Sequence, residues 1–386
     1  MTSIGIHDLA VATTHHVLDL AELAEATGVE PAKYHRGLGQ EQMSFPAPDE
    51  DIVTMGASAA APLLAEHGTD GIRSLLFATE SGVDQSKAAG VFAHHLLGLP
   101  STVRTVEFKQ ACYGGAAALQ TALGIVARNP EERVLVIASD VARYELDGPA
   151  APTQGAGAVA MLVSADPALL AIEPHSGVHT ADIDDFWRPN DTTTPLVDGA
   201  LSLQTYLDAL LGSWGDLQAH GGPGVDEIDR FLYHQPFTKM ARKAHAALFR
   251  HEDRPVDESA LETSFLYNRQ LGNSYTASLF VGLAALLDHD DDLAGRRLGL
   301  FSYGSGSVGE FLTGIVQSGY RERRRREATE SVLAARVPLT VEEYRALHVS
   351  YTDDSDERET PRTTAAPFRF AGVRDRIRRY ERTAGA

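Results

Sequence analysis

The sequence predicts an α/β protein with helices covering both faces of its sheets, and three observations carry that reading. Continuous apolar runs at residues 74–79, 133–139, 158–163, 231–233 and 298–301 have the length and composition of strands buried on both faces. Helical stretches at 51–65, 87–97, 116–128 and 276–287 alternate with them. The order of elements also recurs. In the first half a strand ends at Glu80, a helix of small residues starts at Cys112, and strand 133–139 follows. In the second half a strand ends at His234, a small-residue helix starts near Asn273, and strand 297–302 follows.

The remaining elements follow from local composition. The Arg-rich run at 321–326, mixed with Glu322 and Glu327, reads as a solvated helix. Residues 351–366 are rich in Asp, Glu, Thr and Pro and read as a surface excursion, and 368–374 returns to a strand-like pattern. A hydrophobic content of 43% supports a sizeable core in 386 residues. A formal net charge of −19 argues against nucleic-acid and anionic-membrane binding. No apolar run approaches the ~20 residues that span a bilayer, and the N-terminus has no signal-like core, so a soluble cytoplasmic protein is expected.

Cys112 is the only cysteine, which excludes an intrachain disulfide and a cysteine-based zinc site. It stands where an extended run gives way to a helix. Amide groups at a helix start favour a thiolate, so the residue is a candidate nucleophile; as a lone buried thiol it could equally fill core space. If the halves pack by pseudo-twofold symmetry, Glu80, Cys112, His234 and Asn273 meet in one cleft at the carboxyl ends of the strands. Lys239 and Lys243, two of only five lysines, lie one helical turn apart and could meet an anion such as a phosphate. Gly304-Ser-Gly-Ser-Val-Gly309 formally matches a dinucleotide fingerprint, but it lies late in the chain, does not open a βαβ unit, and is followed by an Arg-rich stretch. It reads instead as a sharp turn bringing backbone amides toward a ligand. No P-loop, nucleophile-elbow, H-E-x-x-H or EF-hand pattern occurs, so no metal is implied.

The chain resembles the 3-hydroxy-3-methylglutaryl-CoA synthase family, in its shorter bacterial form. The resemblance rests on Lys33-Tyr-His-Arg-Gly-Leu-Gly-Gln40, Thr79-Glu-Ser-Gly-Val-Asp-Gln-Ser-Lys87, Ala111-Cys-Tyr-Gly114, Ala138-Ser-Asp140 and Pro152-Thr-Gln-Gly-Ala-Gly-Ala-Val-Ala160. It continues through Asp185-Phe-Trp-Arg-Pro189, Val197-Asp-Gly-Ala-Leu-Ser202, His234-Gln-Pro-Phe-Thr-Lys239, Gly272-Asn273 and Phe301-Ser-Tyr-Gly-Ser-Gly306. It implies a thiolase-like fold of two pseudo-symmetric halves, residues 1–165 and 166–386, in five layers αβαβα.

It further implies that Cys112 is acetylated by acetyl-CoA, that Glu80 removes a proton from the acetyl methyl group, and that His234 hydrogen-bonds the ketone of acetoacetyl-CoA and acts as acid. Asn273, Ser305, Thr153 and Ser202 match substrate-binding positions, and Lys239 and Lys243 match a CoA-binding segment. Asp84, Tyr113, Asp140, Asp185, Phe186 and Tyr303 match positions that shape the site. CoA thioesters enter as substrates, no cofactor is implied, and a homodimer in the mevalonate pathway is expected. The 353–367 stretch matches no family motif. A sibling enzyme acting on a carrier-protein-bound β-ketoacyl chain would keep the same trio. Thiolases and β-ketoacyl carrier-protein synthases of type III lack the strand-end glutamate, and a non-catalytic relative would have lost the trio.

Overall fold

In the computed structural model, residues 3–351 and 355–383 are described. Nine strands form the main sheet: β1 (Ile4–Ala12), β2 (Ile72–Ala78), β3 (Arg104–Phe108), β4 (Arg133–Ala142), β5 (Gly155–Ala165), β6 (Leu170–Thr180), β7 (Arg230–Tyr233), β8 (Arg297–Gly304) and β9 (Val308–Val316). Their spatial order is β7-β8-β9-β6-β1-β5-β4-β2-β3.

Two half-sheets are visible in this order. β1, β5, β4 and β2 occupy the same relative places in one half as β6, β9, β8 and β7 in the other. Among the described residues, the two half-sheets pair with each other at Gly5 opposite Ala171 and Ile6 opposite Leu170. A Cβ on Gly5 would lie 1.9 Å from the Leu170 carbonyl oxygen, so this junction requires glycine. The repeat is imperfect. β3, the edge strand that precedes Cys112, has its counterpart in a 3₁₀ stretch, Glu258–Phe265.

The five main helices are α1 (Ile52–His67), α2 (Gly114–Arg128), α3 (Gly199–Ala219), α4 (Thr238–His251) and α5 (Ser278–His289). Side-chain alternation sorts them into layers. Leu76, Val134 and Val136 face a core shared with Leu119 of α2 and Phe280 and Leu283 of α5, so α2 and α5 form the middle layer. Leu75, Phe77, Leu135 and Ile137 face the opposite way, onto α1. Leu210 and Trp214 of α3 and Leu248 of α4 cover Phe231 and Phe311 on the outer face of the second half. The result is the αβαβα stack that the resemblance implies.

The Arg-rich run departs from expectation. It is a 3₁₀ segment, Ser318–Arg323, followed by a helix beginning at Arg326, and the guanidinium groups of Arg323, Arg324, Arg325 and Arg326 are ion-paired rather than simply solvated. Arg325 bridges the fully buried Asp8 and Glu66, Arg323 also meets Glu66, and Arg324 meets Asp291. A buried carboxylate such as Asp8 is tolerated only with such a partner. The 351–366 stretch falls partly outside the described residues. From Ser355 onward the chain forms a three-stranded sheet, Arg358–Glu359, Phe368–Arg374 and Ile377–Arg382, resting on α1 and the helix Ala89–Leu96. No helix among the described residues is long and apolar enough to cross a membrane.

Candidate active site

Cys112 lies in a tight turn between β3 and α2. Tyr113 N–H donates to the Gln110 carbonyl (3.1 Å), Gly114 N–H to that of Ala111 (3.2 Å), and Ala111 takes a left-handed φ of 42°. A non-glycine residue in that region costs roughly 1–2 kcal/mol, which the surrounding packing holds in place. The second half repeats the device, since Tyr275, at the start of the segment leading into α5, also has φ 42°. A Cβ on Gly304, at the end of β8, would lie 2.5 Å from the Gln110 carbonyl oxygen and 2.7 Å from Tyr113. Strand β8 of the second half is therefore pressed directly onto the nucleophile turn of the first.

Glu80 follows β2. The Cys112 Sγ–H donates to Glu80 Oε2 at 3.3 Å. Asp140, fully buried near the end of β4, fixes this segment. Its Oδ1 accepts from Thr79 Oγ1, Glu80 N–H, Ser81 N–H and Ser81 Oγ at 2.8–2.9 Å. Its Oδ2 accepts from the amide and hydroxyl of Thr276 in the other half. One carboxylate thus pins the base-bearing segment and the start of α5 together.

Electrostatics set the resting protonation. Burial first, then the Asp140 carboxylate, pushes Glu80 up to about 8, opposed by the Cys112 hydrogen bond and the Arg188 guanidinium. Burial, Glu80 and Asp140 together push the Cys112 thiol well above the usual thiol range. This corrects the expected thiolate. α2 begins two residues after Cys112, and the surrounding carboxylates outweigh its amide end, so the sulfur rests protonated.

His234 continues β7. Its N–H donates to the Phe301 carbonyl of β8 (2.8 Å), and its carbonyl accepts from the Tyr206 hydroxyl of α3 (2.8 Å). Burial alone pushes its imidazole down to about 3, so the ring is neutral. Asn273 Oδ1 accepts the Tyr275 N–H, and its Nδ2 donates to the Tyr144 hydroxyl. Tyr144 and Tyr275 form an apolar cluster with Cys112 and Ala142, closed on one side by Phe186, whose ring lies 6.0 Å from Tyr144 and 6.2 Å from Tyr275.

Most of the residues singled out in the sequence converge here. Asp185, fully buried, accepts from the Tyr303 hydroxyl (2.8 Å) and the Gly306 N–H (2.9 Å), which fixes Phe186 and the turn after β8. The Gly306 amide is therefore spent on Asp185, and the Ser307 amide on Ala181, whereas the Ser305 N–H has no protein acceptor among the described residues. Of the amides expected from the glycine-rich turn, that one remains for a ligand. The Ser305 carbonyl accepts from Gln110, and the Thr153 carbonyl receives the Asn273 N–H. Tyr113 turns its hydroxyl to the buried Glu310 (2.8 Å). Ser202 lies in the first turn of α3.

Lys239 and Lys243 lie on α4, and Lys239 Nζ reaches the Arg36 carbonyl at 3.4 Å, beside the short helix carrying exposed Lys33. Asp84 does not join the centre; it is ion-paired with Arg378. Sequence reasoning missed Tyr144, Tyr275 and Arg188. Arg188 was visible inside the Asp185–Pro189 motif, but nothing in the sequence marks two tyrosines that lie 131 residues apart in the chain and face one another beside Cys112.

Family models for the hydroxymethylglutaryl-coenzyme A synthase N terminal and C terminal regions match residues 1–168, and 170–263 with 253–353. A hydroxymethylglutaryl-CoA synthase of Enterococcus faecalis is 41% identical over 93% of this chain and 94% of its own length. The polyketide-biosynthesis 3-hydroxy-3-methylglutaryl-ACP synthase PksG of Bacillus subtilis is 35% identical over 90% of this chain and 88% of its own. Among solved structures, an HMG-CoA synthase complexed with CoA superposes with a TM-score of 0.94 at 38% identity, covering 99% of this chain and 100% of that one. The curacin-pathway HMG synthase with holo donor-ACP gives 0.93 at 28% identity, covering 99% and 100%. With matches spanning most of its length, the chain belongs to the hydroxymethylglutaryl-CoA synthase family of enzymes.

Proposed function

We propose that this enzyme condenses acetyl-CoA with acetoacetyl-CoA and water to give 3-hydroxy-3-methylglutaryl-CoA and free CoA, through an acetyl-Cys112 intermediate. The observation that carries the reading is the 3.3 Å contact between the Cys112 thiol and a Glu80 carboxyl whose proton affinity is raised to about 8. Acyl transfer to Cys112 exchanges one thiol for another, so the proton on sulfur ends on CoA, with Glu80 placed to relay it. The next step requires a base at the acetyl methyl group, and Glu80, adjacent to the same sulfur, is in its ionised form a much stronger base than a solvated glutamate. The Ser305 N–H is a free donor for the enolate oxygen. His234, held neutral, can hydrogen-bond the acetoacetyl ketone and give its proton to the alkoxide formed there, and the proton that Glu80 took from the methyl group makes good the loss, directly or through water. Water then cleaves the Cys112 thioester and releases the product.

Cys112, Glu80 and His234 handle every proton in this sequence, so the reading invokes no cofactor. Lys239, Lys243, Lys33 and Arg36 offer a cationic surface for CoA phosphates on an otherwise acidic protein. The higher identity to the CoA-dependent relative, 41% against 35% for PksG, favours CoA over a carrier protein. We place the enzyme in the mevalonate route to isoprenoid precursors, as a homodimer. The test is purified protein with both thioesters. Sustained CoA release, beyond the one equivalent freed when Cys112 is acetylated, should require both substrates and no added metal. Turnover only on carrier-protein-bound chains would instead assign the β-branching reaction.

A further inference from the structure

The C-terminal sheet, which matches none of the motifs read in the sequence, reaches the segment that carries Glu80. Residues 81–88 form an irregular, mostly exposed loop between Glu80 and the helix Ala89–Leu96. Asp140 holds its first residue through the Ser81 N–H and hydroxyl. Glu107 receives the Ala89 N–H at its far end, at 2.6 Å. Between these points, Arg378 makes the hydrogen bonds from outside the loop seen among the described residues. Its Nε donates to Asp84 Oδ1 (3.1 Å) and its Nη2 to the Val83 carbonyl (2.7 Å). The guanidinium is largely covered, with 28% of the side chain exposed, and lies 5.8 Å from the Phe370 ring of the neighbouring strand.

The platform that carries Arg378 is itself anchored at buried groups. Asp49, fully buried, accepts the Thr363 and Thr364 N–H groups, and its carbonyl accepts the Phe370 N–H at 2.8 Å. The Tyr380 hydroxyl donates to Asp51 Oδ2 at 2.5 Å, and Asp51 caps α1. Phe368 is buried in the core that Val83 also packs against. Arg378 is therefore held on a rigid support, and a guanidinium that spans a carboxylate and a carbonyl fixes loop position where a point charge would not.

We propose that Arg378 is a positioning residue for the condensation step: the C-terminal sheet clamps the 81–88 loop through Asp84 and Val83 and so holds Glu80 against the acetyl group on Cys112. This rests on the reading of Glu80 as the carbon base. Asp84, which matches a site-shaping position, acts in this way at a distance from the reacting atoms. Acyl transfer to Cys112 tolerates a shift of Glu80 because the departing CoA thiolate is itself the final acceptor of the thiol proton. Removing a proton from carbon does not, and small displacements of a catalytic group cost up to ~100-fold.

The test compares wild type with Arg378→Met, Arg378→Lys and Arg382→Met, measuring Cys112 acetylation from acetyl-CoA separately from overall condensation. Arg382 lies on the same strand but donates to the Leu96 carbonyl, away from the loop, and so controls for general loosening of the sheet. Arg378→Met should acetylate within about 2-fold of wild type and lose about 10-fold or more in condensation kcat with little change in KM. Arg378→Lys, able to reach one acceptor but not both, should fall between, and Arg382→Met should match wild type. Unchanged condensation in Arg378→Met, or equal losses in both half-reactions and in Arg382→Met, would overturn the proposal. A wild type that acetylates Cys112 but never condenses would overturn the underlying reading of Glu80 instead.

Discussion

Replacing Glu80 with glutamine should stabilise the fold, and should do so more strongly at alkaline than at acid pH. Glutamine keeps an acceptor for the Cys112 thiol but carries no proton to lose. Glu80 ionises near 4.5 in the unfolded chain and at about 8 in the folded one. Between those values the folded state holds the extra proton, so stability falls as pH rises through the window. At about 1.4 kcal/mol per pH unit, the carboxyl costs about 1 kcal/mol at about pH 5 and about 4 kcal/mol at about pH 8. The residue is partly accessible, so solvent lowers both figures, and a differential of about 2 kcal/mol or more between the two conditions is the expectation. Denaturant unfolding of wild type and Glu80→Gln at both pH values measures it. A variant that is destabilised, or stabilised equally at both, would refute the claim that burial and Asp140 hold this carboxyl neutral.

Three further outcomes follow from the same geometry. Cys112→Ser should give no acetyl-enzyme by mass spectrometry after exposure to acetyl-CoA, and label that persists would move the nucleophile elsewhere. His234→Gln should still acetylate but lose condensation by about 10²–10⁴-fold, the usual contribution of a positioned proton donor. It should also be less acid-sensitive, because wild-type His234 stays neutral down to about 3 while the unfolded chain protonates near 6.5, a difference that removes stability as pH falls between those values. Arg188→Met removes a cation that pulls Glu80 down, so the rising limb of the pH–rate profile should move to higher pH; an unchanged limb would show that Arg188 does not act on the base.

The parts of the site legible in the sequence are those tied to the repeat. Glu80 and His234 end equivalent strands, and Cys112 and Asn273 begin equivalent helical segments, so periodicity and the position of charged residues against apolar runs were enough to align them. The strands themselves were readable because burial on both faces forces continuous apolar runs. What could not be read depends on contacts distant in sequence. The protonated state of Cys112 is set by burial first, then by Glu80 and Asp140, and the bonds of Asp140 to both Ser81 and Thr276 are invisible along the chain. The aromatic wall of Tyr144 and Tyr275 relies on a left-handed φ at a non-glycine residue, which no turn signal marks. The arginines at 323–325 resembled a solvated face because their partners, Asp8, Glu66 and Asp291, lie far away in the chain. Asp84 resembled a site residue by motif alone, and its Arg378 partner lies almost three hundred residues later.

The most direct test of the central claim is a single-turnover chase. Enzyme carrying a labelled acetyl group on Cys112, freed of excess acetyl-CoA, is mixed with unlabelled acetoacetyl-CoA. The expected result is that the label leaves Cys112 and appears in 3-hydroxy-3-methylglutaryl-CoA. Label that remains on the enzyme, or leaves only as acetate, would contradict the assignment of Cys112 and Glu80 as the acyl carrier and carbon base of this condensation.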